Sequence, residues 1–342
     1  MANKEAELMI MKRVTIKDVA KAASTSERTV SRVINNDENV KKETRERVKQ
    51  VIDELGFEVN MAARMLKEKK TKQIVVFIDR HEGLYWGSFH NEILQEIHLS
   101  ARKHGYRMLI SSSSATSFEE DENDGFYLLK NGLCDGAIIF DSKPGDERVK
   151  YLANNKTPFV IIGKDNERYD SSYVDLDNEY AGYLGASYLH SKGYKKISML
   201  LGNKDFVVNK ERIAGFLKYC NENDIISEYN TGISSMESAY EAMKQILENS
   251  DHRCIFISGD ERAMGIYRAV FEAGLKIPDD VAVLGIDNIK LGEYMCPPIT
   301  TIDQPKKDFG TTAFQILLDQ LNGSKSAKRV IIAPEIVERS SV

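Results

Sequence analysis

Two groups of side chains in this 342-residue chain could do binding chemistry. The first is compact: Ser26, Glu27, Arg28, Thr29, Ser31, Arg32 and Asn35. Guanidinium forks, hydroxyls and an amide in one short stretch suit hydrogen bonding to phosphates and base edges, and an arginine fork fits the O6/N7 edge of guanine. Glu27 is an acceptor in basic company, and a cytosine amino group is a donor it could take. The second group is dispersed: Asp79, Trp86, Phe89, Ser112, Asp141, Arg212, Asp260 and Asp287. Carboxylates, a hydroxyl and a guanidinium beside aromatic rings suit a sugar, whose hydroxyls want polar partners and whose flat face wants an aromatic. Bond-making chemistry has no such signature here. There is no GxxxxGK[ST] run, no zinc-ligand spacing and no nucleophile motif, and the six histidines are scattered. No catalytic residue, metal or cofactor is therefore expected.

The first group needs a helix to present it. Ile16, Val19, Ala20 and Ala23 form one apolar helical stripe, and Thr15 with Asp18 makes a capping-box-like start. Ser24-Thr25-Ser26 interrupts it. Ser26 can cap a second helix that buries Val30, Val33 and Ile34 and leaves Arg28, Ser31, Arg32 and Asn35 outside. A third helix spans about 43–55 and ends at Gly56. Two short helices with a tight turn fit a DNA-reading motif; the spacing fits a surface hairpin with solvated charges equally well. Asn60 can cap a further short helix to about Lys67, marginal in water by itself, followed by a charged linker.

The second group lies beyond a change of pattern. From Gln73, β-branched runs at 74–78, 107–111, 135–140 and 159–163 alternate with helical stretches at 89–104 and 119–131. A second series has strands at 196–202, 254–258 and 281–286 and helices at 178–192, 209–223, 236–249 and 261–274. A helix at 306–322 and a strand at 329–333 close the chain. This alternation predicts parallel sheets covered on both faces. Ligands in such sheets sit beyond the carboxyl ends of strands, where most of the second group falls. Asp260 also fits a helix cap, and Trp86 and the serines at 111–114 also fit plain loop packing.

Charge divides the chain the same way. Lys12–Lys72 holds 16 Lys/Arg against 10 Asp/Glu, a net of +6, and residues 73–342 hold 30 against 40, a net of −10. A basic head on an acidic body localises phosphate binding to the head. The length predicts two or three domains. Four cysteines without C-x-x-C spacing predict reduced thiols. The first 13 residues read as a tail, with Met11 an alternative start, and neither a signal peptide nor a membrane span is expected.

Asp18-Val19-Ala20, the run TVSRVIN at 29–35, Thr44-Arg45-Glu46-Arg47-Val48 and Asn60-x-x-Ala63-Arg64-x-Leu66 follow one another as in the lac repressor (LacI/GalR) family. The resemblance extends over nearly the whole chain. It implies an all-α helix-turn-helix head at 14–58, with Thr15 among its DNA contacts. A hinge helix and linker at 59–71 would place Asn60, Ala63, Arg64 and Leu66 on DNA, Leu66 as a wedge between base pairs in the minor groove. It also implies an α/β body at 72–342 of two doubly wound, periplasmic-binding-protein-like lobes, the first about 72–172 and 304–324, the second about 173–301 and 325–342.

Functionally, it implies a cytoplasmic homodimeric repressor on a pseudo-palindromic double-stranded operator, controlled by a small molecule. Arg212 in R-I-A-G-F and Asp287 in G-I-D-N match the family's effector-holding arginine and acid. A sugar is the expected effector, and the stretch 172–182 is similar to maltose-type regulators. The alternative is a catabolite regulator co-repressed by a phosphorylated carrier protein. The chain departs from the family pattern at Ser24-Thr25, where Gly-Val is usual, at Val59 for proline, at Glu27, an acid where bases are read, and at Gly259 for an asparagine.

Overall fold

A computed structural model describes residues 14–58, 70–78, 87–116, 118, 123–140, 142–164 and 170–342. The chain forms two compact units that divide between Lys70 and Thr71.

The first unit contains three helices, α1 (Ile16–Ala22), α2 (Glu27–Ile34) and α3 (Lys42–Leu55). Val19, Ala20, Ala23, Val30, Val33, Val48 and Val51 make its core. Small β-branched and alanine side chains let three short helices pack closely. Thr15 closes a capping box with Asp18 at the start of α1, and the Ser26 side chain accepts from the Thr29 amide at the start of α2. Such caps each stabilise by about 1 kcal/mol. Gly56 ends α3 in the left-handed conformation.

The second unit is built on two six-stranded sheets. The first has the order β11-β5-β4-β3-β1-β2 and is parallel throughout. Its strands are β1 (Gln73–Ile78), β2 (Arg107–Ser112), β3 (Gly136–Ile139), β4 (Phe159–Ile162), β5 (Tyr173–Leu176) and β11 (Arg329–Ile332). The second has the order β12-β10-β9-β8-β6-β7. It comprises β6 (Lys196–Leu200), β7 (Ile226–Asn230), β8 (Cys254–Ile257), β9 (Ala282–Asp287), β10 (Thr300–Asp303) and β12 (Glu335–Val337), and only β12 runs antiparallel, against β10. The central strands β3, β4 and β8 are apolar and buried throughout, and β1 is so from Ile74 onward, as sheets covered on both faces require.

The helices of this unit are α4 (Gly87–Lys103), α5 (Tyr127–Lys130), α6 (Glu147–Asn154), α7 (Asn178–Ser191), α8 (Val207–Glu222), α9 (Met236–Asn249), α10 (Asp260–Glu272) and α11 (Lys306–Leu321). α7 packs on α8, α9 on α10, and α11 on α4.

Several expectations need correction. β5 pairs with β4 on one side and with β11 on the other in the first sheet, so 173–176 and 329–332 sit in the first lobe, not the second. The chain crosses between lobes after β5, after β10 and between β11 and β12. The helix expected over 119–131 is only a four-residue helix in its described part, Tyr127–Lys130. The Asp124 carboxylate takes the Ser114 and Phe126 amides instead, and a Cβ on Gly125 would stand 1.9 Å from Ser111 Oγ. That turn is held against β2 and cannot wind into a helix. β5, β7, β10 and β12, and the helix α6, were not anticipated. β7 (ISEYN) is a largely exposed edge strand, and its polar residues hide the period of two.

Candidate functional site

The basic group of the first unit is presented on α2. Glu27 and Arg28 are exposed in its first turn, and with Ile16, Ser31, Arg32 and Asn35 they line a shallow depression of about 480 Å³. The structure sorts these residues by what already engages them. Ser26 Oγ and Thr29 Oγ1 are 2.9 Å apart and bind each other as the helix cap. Thr15 is occupied by its capping box. Arg32 Nε lies 3.5 Å from Asp37 Oδ2, and Asn35 ends the helix. Asn60, Ala63, Arg64 and Leu66 lie outside the described residues.

In the second unit, Arg212 anchors the polar group. It is buried on α8, where Nε donates to Asn178 Oδ1 at 2.9 Å and Nη1 donates to Ser258 Oγ at 2.7 Å. The helices permit this by close approach. A Cβ on Gly182 of α7 would stand 2.0 Å from the Arg212 carbonyl oxygen, and one on Gly215 of α8 would stand 1.7 Å from that of Glu179. Glycine at both positions lets α8 carry Arg212 up to the first turn of α7.

Arg212 and Arg262 both act electrostatically on Asp287, yet burial still raises the Asp287 carboxyl above the usual range. Asp287 and Asn288 have positive φ values, 128° and 53°, a conformation that costs non-glycine residues about 1–3 kcal/mol. Three contacts hold the turn. Gln304 Nε2 donates to Asp287 Oδ1 at 2.5 Å, and Lys306 Nζ donates to the carbonyl oxygens of Asp287 and Asn288, each at 2.6 Å.

Asp260 is fully buried and serves as a brace. Its carboxylate accepts from Thr301 Oγ1 at 2.7 Å and from the Ile289 amide at 3.1 Å. Gly259, with φ of 128°, occupies the N-cap position of α10, so Asp260 does not cap that helix. Burial and the nearby Asp287 carboxylate both push Asp260 upward. Gly285 leaves it room: a Cβ there would stand 1.9 Å from Asp260 Oδ1.

Arg212 and Asp287 are thus brought together, with Asp260 behind them. Phe89 belongs elsewhere, packed edge-on against Phe309 between α4 and α11. Ser112 ends β2, where its carbonyl accepts the Gly125 amide. Asp79, Trp86 and Asp141 lie outside the described residues.

Asn178, Ser258, Asp175 and Glu211 were not anticipated as site residues, whereas Lys164 was expected there as a residue following the fourth strand. Asn178 and Ser258 anchor Arg212. Lys164 Nζ pairs with Glu211 Oε1 at 2.6 Å and lies 3.9 Å from Asp175 Oδ2. Asp175 is buried, which pushes its carboxyl up to about 6 against the opposing pull of Lys164. The sequence offered one signal for Asp175 and Asn178, the polar VDLDN run at 174–178 against an apolar strand background. Among the described residues no His/Cys/Asp/Glu group could hold a metal ion, and no helix is long and apolar enough to cross a membrane.

The architecture has counterparts. The model for bacterial regulatory proteins of the lacI family matches residues 15–60, and that for the periplasmic binding protein-like domain matches 186–342. The HTH-type transcriptional repressor PurR of Vibrio atlanticus is 33% identical over 334 residues, 96% of this chain and 98% of its own. The lac repressor dimer bound to operator and the anti-inducer ONPF superposes with a TM-score of 0.84 at 25% identity, over 96% of this chain and 99% of that one. A complex of the transcriptional regulator CelR with cellobiose gives 0.72 at 25% identity, over 96% and 100%.

Proposed function

The chain belongs to the LacI family, DNA-binding transcriptional repressors regulated by small-molecule effectors, and from that premise we propose that it is a cytoplasmic homodimeric repressor of carbohydrate-utilisation genes whose effector is an unphosphorylated sugar. The observation that carries the sugar is Arg212 held rigid between Asn178 and Ser258 and facing the Asp287 charge. A preorganised guanidinium with carboxylates around it suits hydroxyls, which both donate and accept. Asp287, Asp260, Asp175 and Glu211 oppose a second anion there, which disfavours a sugar phosphate. Cellobiose in the related CelR complex supports the class. Exposed Ile226, Tyr229 and Phe271 give the second lobe apolar surface for a partner copy.

On this reading Thr15, Ser26, Glu27, Arg28, Thr29, Ser31, Arg32, Asn35 and the hinge residues Asn60, Ala63, Arg64 and Leu66 face the operator. The chain binds its sugar without turning it over. A thermal-shift screen against cellobiose, maltose, sugar phosphates and nucleobases tests the effector class. A ligand at one hundred times its dissociation constant stabilises by about 2.7 kcal/mol. A shift with an unphosphorylated sugar is expected. A shift only with sugar phosphates or nucleobases would overturn the effector class. A full panel without a shift, together with tighter DNA binding on adding a phosphorylated carrier protein, would move control to the protein partner.

A further inference from the structure

We propose that Asp135 is a positioning residue for operator recognition: it fixes how the connecting chain leaves the second unit, and so restricts the spacing of operator halves that the paired heads can span. This rests on the homodimeric operator-binding reading and adds a determinant of what is recognised.

Asp135 immediately precedes β3, yet its carboxylate is committed to the boundary between the units. Oδ1 accepts from the Thr71 amide at 2.7 Å and from Thr71 Oγ1 at 2.8 Å, and Oδ2 accepts from the Lys72 amide at 2.9 Å. Thr71 is the first residue of the second unit and is buried. Lys72 turns the chain there, with φ of 53°. A non-glycine residue persists in that conformation only where its surroundings over-determine it. Lys72 is gripped at three points. Asp135 takes its amide, the Arg107 amide donates to its carbonyl oxygen at 2.9 Å, and its ammonium lies over the Tyr106 ring, 4.4 Å from the centroid.

The sheet does not need this clamp to hold β1. That strand begins at Gln73 and is already paired on both sides, with β2 and β3. The clamp acts on the two residues before it. Residues 59–70 join the head to Thr71. Fully extended, such a segment spans up to about 40 Å, the length of about twelve base-pair steps. A tether of that reach on a loose end would serve many half-site spacings, with a low effective concentration at each. A tether whose end is fixed in place and direction serves few.

The rival role for Asp135 is local, closing the start of the first sheet. Its loss would then lower stability and leave spacing untouched, which separates the two by experiment. The full-length protein, Asp135→Asn, Thr71→Val and Thr71→Ser would each select from a random duplex library at one fixed salt concentration, and each would be melted thermally. Asparagine turns its amino group toward a donor whichever way the amide sits. Valine keeps the threonine shape and removes the hydroxyl alone.

The wild type should enrich two half-sites at one separation. Moving them one base pair apart, which also rotates one half by about 34–36°, should weaken its binding about tenfold or more. In Asp135→Asn the bases of each half should be kept and this penalty should fall to about threefold or less, because losing a hydrogen bond to a charged group loosens the clamp about tenfold. Thr71→Val should move the same way by less, and Thr71→Ser, which keeps the hydroxyl, should match the wild type. If Asp135→Asn does not fold, the two Thr71 variants decide.

Variants that melt lower yet keep the wild-type penalty would leave Asp135 with the local role and overturn the proposal. A wild type indifferent to spacing would overturn it as well. Failure of the wild type to enrich any paired motif would instead strike the operator-binding reading on which the proposal rests.

Discussion

Lys164 Nζ lies 2.6 Å from Glu211 Oε1, and this ion pair joins the two lobes of the second unit. Lys164 follows β4 of the first sheet, and Glu211 sits on α8 beside Arg212. The side chains are only 18% and 22% exposed, so neither is freely solvated. Removing the Glu211 charge leaves Lys164 with Asp175 as a distant partner at 3.9 Å. Glu211→Gln should therefore destabilise the second unit by about 1–2 kcal/mol, less than a fully buried pair because water still reaches it. Calorimetry of the full chain should show that unit melting a few degrees lower. An unchanged midpoint at both low and high salt would mean that the pair contributes nothing to lobe closure.

Asp175 gives a pH signature with a definite sign. Burial raises its folded-state pKa to about 6, above the ordinary value of 3.8. Between those values the folded chain holds a proton that the unfolded chain has released. Stability contributed by this group is thus present below about pH 4, falls as pH rises toward 6, and is level above that. Asp175→Asn removes the titration. The difference in unfolding free energy between wild type and variant should fall by roughly 2–3 kcal/mol across that window. A difference that is flat, or that rises with pH, would contradict the assigned environment.

These two residues also mark how far the sequence could be read. The head was legible because Thr15, Ser26 and Gly56 act locally, through caps whose partners lie within three or four residues. The apolar cores of β1, β3, β4 and β8 were legible for a similar reason, since a buried parallel strand is nearly continuous in β-branched residues. Lobe membership was not legible. Tyr173–Leu176 is only four residues long, and its place beside β4 is set by pairing with β11, more than 150 positions away. The partners of Arg212 were hidden likewise: Asn178 and Ser258 lie 34 and 46 positions from it. Asp260 read as a cap because it precedes a helix, whereas its oxygens are committed to Thr301 and Ile289.

Arg212→Lys keeps the charge and loses the fork. A lysine ammonium cannot hold Asn178 and Ser258 in the same plane, so one buried partner is left unsatisfied at about 1–3 kcal/mol. The variant should melt a few degrees lower. Any sugar that stabilises the wild type by about 2.7 kcal/mol at a hundredfold excess over its dissociation constant should stabilise the variant by less than about 1 kcal/mol. Affinity for random duplex DNA, which depends on the first unit, should be unchanged. Full retention of the sugar-induced shift would remove Arg212 from the effector site.

Lys306 explains how the turn that carries Asp287 stays in place. Its ammonium donates to two carbonyl oxygens at positions of positive φ. It also lies 3.6 Å from Asp303 and 3.9 Å from Glu92 of α4. The same turn reaches α4 directly, because the Lys290 amide donates to Glu92 Oε1 at 3.1 Å. Asp287, its turn and the second turn of α4 thus form one connected path between the lobes. Lys306→Met keeps the apolar stem and removes the charge. It leaves both carbonyls and two carboxylates without their shared cation, and the turn should open more often. Hydrogen exchange at the Asn288, Ile289 and Lys290 amides should speed up about tenfold or more, equivalent to a local loss of about 1.4 kcal/mol. Lys306→Arg should restore most of the protection. If exchange in Lys306→Met matched the wild type, Gln304 and the backbone alone would be holding the turn, and α4 would have no link to Asp287 through this lysine.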